Sequence, residues 1–357
     1  MRIALLGDVA FFGKNSINNN GKIFEYFKDI KKILSQYDYV IANLETPFGD
    51  GMDPYGYKSA YIHSDIQNAE LLSYLEISIV NLANNHVYDY GKKSFELTKQ
   101  VLDNHNIKYF GIEERQIFIE NKHSKIVFSG YCCHSTNPLG IGKYGVNELD
   151  YPIIEENLIK NSINGYSNIL SIHAGMEHIN FPSYDHINFA RKLSEVVPYV
   201  YYGHHPHVLQ GIEKYNNSLI AYSLGNFCFD DVYTNKSAKP LVKQSVNNKS
   251  SIILELEYEN NNLVKHKVIP VYAGEHKMEI GSPEINKNLD IYSSKLNLNE
   301  QDYNKMRNEL LSKIVQERNA KRDLQWYFKR LNLRTVFVAK DLCINKQKYN
   351  AKLKNHI

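Results

Sequence analysis

The stretch YVYYGHHPHVLQG, residues 199–211, decides the fold. Tyr199–Tyr202 has the aromatic, β-branched composition of a strand, and Gly203 with Pro206 ends it. Beyond that stop stand His204, His205 and His207. The same grammar recurs four times upstream. Ile3–Leu6 runs into Gly7-Asp8, and Tyr39–Ala42 into Asn43-Leu44-Glu45. Ile77–Leu82 leads to Asn84-Asn85-His86 with Asp89, and Ile169–Ile172 to His173-Ala174-Gly175. In an open α/β sheet the carboxyl ends of neighbouring strands face one crevice, where ligands bind. Five strand ends carrying Asp, Glu, Asn and His at that crevice predict a metal site.

Between these strands the pattern predicts helices over 23–35, from about 65 to 74, over 92–105, around 155–163 and over 184–197. Ser64 or Asp65 is a candidate cap for the second of them. Further strands are expected at Ile107–Phe110, Ile117–Glu120, Lys125–Cys133, Leu219–Ser223, Ser251–Tyr258 and Val264–Val271. Strands alternating with helices predict a layered α/β domain with a largely parallel element, finished by antiparallel strands. That domain is placed at residues 1–275. After Gly281-Ser282-Pro283 the pattern changes to a long helical run, Gln301–Leu331, with Trp326 and Phe328 near its end. Residues 284–357 are read as a separate, basic, helical C-terminal extension.

With 357 residues the chain can bury a sizeable core. Its formal charge of +3 is too small to argue for nucleic acid, but it is unevenly spread. Residues 281–357 carry 16 Lys+Arg against 8 Asp+Glu, which leaves 26 against 31 for the remainder. Such a tail suits an anionic polymer or a membrane surface, and equally a solvated helical face. No signal peptide is readable ahead of the first strand, and no apolar run approaches the ~20 residues of a membrane span. Cys132, Cys133, Cys228 and Cys343 lack any CxxC spacing and are expected as free buried thiols in a reducing cytosol. The expected location is cytoplasmic, with membrane association through partners.

Divalent transition metals favour imidazole nitrogen and carboxylate oxygen. Asp8, Glu45, Asn85, His173, His205 and His207 supply those donors, and Glu45 is the candidate to bridge two ions. Two ions can lower the pKa of a shared water and hold both oxygens of a displacement at phosphorus. Each residue alone has a plainer explanation. Asp8 could be a turn or cap residue, His173 a hydrogen-bonded surface group, Asn85 a turn residue and Asp89 a helix N-cap. Recurrence at five strand ends is what those explanations leave over.

Taken together, Gly7-Asp8, Asn43-Leu44-Glu45, Asn-Asn-His-x-x-Asp-x-Gly (84–91), His-x-Gly-x-Glu (173–177), Gly-His-His-Pro-His-Val-Leu-Gln-Gly (203–211) and Ala-Tyr-Ser-Leu-Gly-Asn-Phe-x-Phe-Asp (221–230) resemble a known family. It is the bacterial capsule synthesis family, the CapA-like or poly-γ-glutamate synthesis proteins, and the likeness covers roughly residues 1–275. The resemblance implies the calcineurin-like metallophosphoesterase superfamily, with a four-layer α/β/β/α sandwich and a two-metal centre. It implies Asp8 and His207 on one ion, Asn85, His173 and His205 on the other, and Glu45 between them. One or two divalent ions follow, with manganese, iron or zinc expected. His86 resembles the acid that protonates the leaving group or stabilises transition-state charge, and Asp89 would orient its ring. Lys58 and Tyr61 resemble a substrate-side segment, and His63 falls where an Arg is common. Glu177 and His178 are expected to contact substrate or to support the ligands from behind, and Asn226 to contact substrate or a metal ligand. Two departures stand out. Ala10 replaces the imidazole of an Asp-x-His motif, and His-Ala-Gly-Met-Glu-His (173–178) replaces a pattern with Trp and Tyr.

The reading that follows is a metal-dependent, phosphoesterase-like hydrolase in capsule or cell-surface polymer biosynthesis. Its substrate would be an anionic polymer or a phosphorylated small molecule, with capsule-synthesis proteins as partners and no specific nucleic acid. The alternative is a non-catalytic accessory subunit of poly-γ-glutamate or polysaccharide synthesis that binds an anionic polymer. Retention of His86 beside the ligand set favours an enzyme, because binding alone needs no general acid.

Overall fold

The computed structural model describes residues 1–49, 51–58, 60–122, 124–234, 237–320 and 333–357. Strands β1 (Arg2–Val9), β2 (Tyr39–Leu44), β3 (Ile77–Asn81) and β4 (Lys108–Phe110) lie side by side and parallel in one sheet. A second sheet takes β5 (Ile117–Glu120), β6 (Lys125–Cys132), β7 (Ser167–His173), β8 (Tyr199–His204), β9 (Ile212–Tyr215) and β10 (Ser218–Ala221). Its spatial order is β5-β6-β7-β8-β10-β9, parallel within and antiparallel at both edges. The chain then returns to the first sheet. There β11 (Asn226–Cys228) runs beside β1, while β12 (Val232–Thr234) and β13 (Ser237–Val242) form a separate two-stranded ribbon. β14 (Ser250–Glu259) pairs antiparallel with β1, and β15 (Asn262–Ala273) and β16 (Met278–Ile280) extend that edge.

β1 is buried on both faces, and its successive side chains join different cores because they point to opposite sides of the sheet. Ile3 and Leu5 pack inward with Ile41, Ile79 and Phe110 against Phe128, Ile169, Val200 and Tyr202 of the second sheet. Ala4 and Leu6 face outward, onto α1 (Ile23–Tyr26), α2 (Lys28–Leu34), α3 (Ala69–Tyr74) and α4 (Gly91–Asn104). The outer face of the second sheet offers Leu170, Ile172, Tyr201 and Ile220 to α5 (Tyr151–Ile163) and α6 (Tyr184–Val196). The result is helix, sheet, sheet, helix: the four-layer α/β/β/α sandwich that the resemblance implied.

Downstream are α7 (Pro283–Lys295), α8 (Glu300–Ala320) and α9 (Leu333–Lys352). Ile285 and Leu289 of α7 join the inter-sheet cluster, and Tyr303 of α8 and Leu353 beyond α9 join the cluster over the second sheet. The later part of the expected Gln301–Leu331 run, with Trp326 and Phe328, lies outside the described residues. No helix among the described residues is long and apolar enough to cross a membrane.

Several boundaries differ from expectation for local reasons. The helix expected over 23–35 breaks at Phe27, whose backbone leaves helical geometry where Tyr26 and Phe27 are both buried. Asp65 occupies the N-cap position of a single 3-10 turn, Ile66–Asn68, that runs into α3, but its side chain makes no capping hydrogen bond. Cys132, Cys133 and Cys228 are free and buried as expected, but Cys343 is exposed on α9.

Candidate metal centre

The five polar clusters meet, but at the joint rim of two sheets rather than of one. Asp8 is on β1, Glu45 follows β2, and Asn84–Asp89 forms the turn after β3, all from the first sheet. His173 ends β7, and His205 and His207 follow β8, from the second. Glycine permits the close approaches that the rim requires. A Cβ on Gly203 would stand 1.9 Å from the Tyr222 carbonyl oxygen, and one on Gly7 would stand 1.9 Å from that of Gly225. His205 and His207 both take left-handed backbone, at φ 93° and 56°, on either side of Pro206. Non-glycine residues adopt that region at a cost, and such strain collects at functional sites.

Glu45 is at the middle of the arrangement. It is fully buried, and neither carboxylate oxygen has a hydrogen-bond partner among the described residues. Nε2 of His173 lies 3.8 Å from its Oε1, and Nε2 of His207 lies 3.7 Å from the same atom. Burying an anion without donors is costly unless a cation completes it. Glu45, His173 and His205 form one group whose donor atoms converge within 4.8 Å, and Asp8, Glu45 and His207 form another. A third group is Glu177, His205 and His207, where Glu177 is exposed at the rim. The donor set is carboxylate and imidazole, the chemistry that suits zinc, manganese or iron.

Electrostatics express the same crowding. Burial and the neighbouring Asp8 hold the Glu45 carboxyl well above its usual range. Asp8 is well below its own: burial opposes ionisation, but His204 and His207 overcome it. Burial pushes His205 down to about 3 and His173 well below the ordinary histidine value. His207 goes the other way, up to about 10, because Glu45, Asp8 and Glu177 outweigh the effect of burial. The site attracts positive charge and keeps His173 and His205 neutral, the state in which imidazole binds a metal.

Around the donors is a layer of polar supports. Asn85 Oδ1 is 2.9 Å from Nε2 of His173, so the two groups converge. His207 Nδ1 meets Asn226 Oδ1 at 2.9 Å, and Asn226 Nδ2 donates in turn to Gln244. Such contacts fix the tautomer and orientation of a ligating histidine. Asn226 therefore touches His207, one of the candidate donors. Three further supports had no role in the sequence reading. Asn43 Nδ2 donates to Asp8 Oδ1 at 2.8 Å, and His204 Nδ1 lies 3.1 Å from the same oxygen. Asn248 Nδ2 donates to the His207 carbonyl and contacts His178 Nδ1 at 3.0 Å. Asn43 and His204 stand inside the quoted motifs, but adjacency in sequence does not reveal which of two neighbours faces the rim. Asn248 carries no motif at all.

His86 and Asp89 are paired as expected, with His86 Nδ1 2.7 Å from Asp89 Oδ2. The N-cap alternative for Asp89 fails, because Tyr90 is the capping residue of α4 and the Asp89 carboxylate points elsewhere. Lys58 is turned into this pair, with its ammonium 2.6 Å from Asp89 Oδ1. Tyr61 accepts from the Lys58 amide and donates to the Gly56 carbonyl, so its hydroxyl braces the loop. His63 contacts the Tyr90 hydroxyl at 3.2 Å and is half-buried. Glu177 and half-buried His178 lie beside His205 and His207.

Fold and rim together define a two-sheet α/β sandwich protein with a candidate carboxylate–imidazole metal centre. The chain belongs to the bacterial capsule synthesis protein family PGA_cap, whose profile matches residues 2–231. It is 28% identical to the PGA biosynthesis protein CapA of Bacillus subtilis (strain 168) over 240 residues, 62% of this chain and 60% of that protein. It is 26% identical to the capsule biosynthesis protein CapA of Bacillus anthracis over 278 residues, 72% of this chain and 66% of that one. The matched region thus spans less than two thirds of either relative's length. Among solved structures, the NAD nucleotidase NadN of Haemophilus influenzae superposes with a TM-score of 0.44 at 14% identity, covering 87% of this chain and 60% of that one. That likeness is too distant to carry a role across.

Proposed function

We propose that this protein is a metal-dependent hydrolase of the phosphoesterase kind, serving capsule or cell-surface polymer biosynthesis. The observation that carries the reading is Glu45, a buried carboxylate with no donor among the described residues, faced by imidazoles from the other sheet. Asp8, Glu45 and His207 would hold one divalent ion, and His173, His205 and Asn85 a second, with Glu45 shared. Bound there, such an ion supplies Lewis acidity and a more acidic water. Ala10 leaves the first position with one imidazole, His207, and its affinity is expected to be the weaker of the two.

The residues of the chain do the rest. Asp89 accepts a hydrogen bond from His86 Nδ1, so in the doubly protonated ring Nε2 is the nitrogen that would give its proton to the departing oxygen and leave the ring neutral. Burial holds His86 below its ordinary pKa, an effect that Asp89 only partly offsets and Lys58 reinforces. Exposed Glu177 and half-buried His178 stand at the rim, where a substrate would arrive. The family's role in capsule synthesis supports a substrate that is an anionic polymer or a phosphorylated precursor, and proteins of that machinery as partners.

Turnover of bis(p-nitrophenyl) phosphate with added manganese tests the reading. Wild type is expected to hydrolyse it and His86→Ala to lose about 100-fold or more in kcat. Manganese-loaded wild type without turnover on this or other phosphoesters would favour the accessory-subunit reading. The basic excess of residues 281–357 is the observation on that side.

A further inference from the structure

We propose that Lys58 is a positioning residue for the hydrolytic step: it staples the 55–63 loop to the 84–90 turn and so sets His86 against its neighbour Asn85. The kinetic part rests on the phosphoesterase reading; the geometric part does not.

Lys58 was expected to meet substrate, yet its side chain is only 6% exposed. The ammonium is 2.6 Å from Asp89 Oδ1, 2.6 Å from the Asn85 carbonyl oxygen and 3.1 Å from His86 Nδ1. Asp89 Oδ1 and the Asn85 carbonyl accept from this ammonium, while His86 Nδ1 beside it gives its own proton to Asp89. The Asn85 carbonyl belongs to the peptide that joins a candidate metal donor to the candidate acid. The other oxygen of Asp89 takes His86 Nδ1 at 2.7 Å and the Ile62 amide at 3.0 Å. Asp89 is therefore gripped from the loop on both oxygens, and its rotamer cannot change without opening the loop.

Neighbouring contacts extend the staple. The Tyr55 amide donates to the Asp89 carbonyl at 2.7 Å, and His63 reaches Tyr90. A loop needing only to pack would bury an apolar side chain here, since a buried cation is costly unless fully partnered. The ammonium is paired with Asp89 and turned away from solvent, so a substrate phosphate would have to compete with that pair. The chemistry points to alignment of the acid, not to a grip on the substrate.

Hydrogen exchange and kinetics on the manganese-saturated 357-residue chain test this. In Lys58→Met, amide exchange is expected to rise about tenfold in peptides covering both 55–63 and 84–90. With bis(p-nitrophenyl) phosphate, kcat is expected to fall about 100-fold while KM stays within about twofold. A KM raised about tenfold at unchanged kcat would mean a substrate grip and overturn the proposal. Unchanged exchange in both segments would overturn it whether or not the wild type turns over any ester. Raised exchange with an inactive wild type would uphold the staple and reject the phosphoesterase reading. Should Lys58→Met fail to fold, Lys58→Met/Asp89→Asn removes both charges. Faster exchange at 55–63 is expected there too, and wild-type exchange would overturn the staple.

Discussion

Nε2 of His173, at the end of β7, faces Oε1 of Glu45, just beyond β2, at 3.8 Å across the seam between the two sheets. The candidate centre therefore exists only while the sheets are packed together, and an ion that binds it binds the folded state alone. Manganese at about 100 times its Kd is expected to add about 2.7 kcal/mol of stability. Thermal unfolding with and without the metal checks this. Glu45→Gln should abolish the increment and, because burial and Asp8 already oppose ionisation of this carboxyl, leave the metal-free protein no less stable.

Asn226 orients the His207 ring through Nδ1 and is itself held by Gln244. Asn226→Ala should weaken metal binding by about 10- to 100-fold, the usual cost of losing such a partner. Competition with a chromogenic chelator measures it. An unchanged affinity would mean that His207 is not a ligand.

Gly7 passes so near the Gly225 carbonyl that a methyl group has no room. Gly7→Ala should destabilise the protein by about 3 kcal/mol or more, through displaced backbone at the core of the first sheet. Gly21→Ala, with nothing within 4 Å, is the matched control and should be near neutral in denaturant unfolding.

His186 on α6 is buried, with Nε2 lacking a partner among the described residues, and burial pushes its pKa down to about 4. Asp185 raises it slightly and Arg307 lowers it. A lowered histidine pKa favours the neutral form in the fold. Its contribution is complete above the unfolded value near 6.5 and is lost as pH falls toward about 4. The loss is worth about 3 kcal/mol at most. His186→Leu should flatten the decline in stability between pH 7 and pH 4, read by urea unfolding at each pH.

Much of the centre was legible because its chemistry is local to strand ends. Asp8, Glu45, Asn85, His173, His205 and His207 each follow an apolar run, and the ladder geometry then brings those ends to one rim. Which sheet each strand joined was not legible from alternation alone, since β3 and β7 have similar apolar sequences yet lie in different sheets. Lys58 shows a second limit. A lysine in a polar loop reads as solvent-facing, and only Asp89 and the Asn85 carbonyl, about thirty positions away, turn it inward. His204 and His205 are adjacent, and only the fold shows that the first buttresses Asp8 while the second joins the donor groups.

An anomalous difference map from crystals of the zinc-loaded protein tests the central claim most directly. The account predicts a peak between the sheets, about 2.0–2.2 Å from a Glu45 oxygen and from at least two of the His173, His205 and His207 nitrogens. A map from fully loaded crystals with no peak within reach of Glu45 would contradict it.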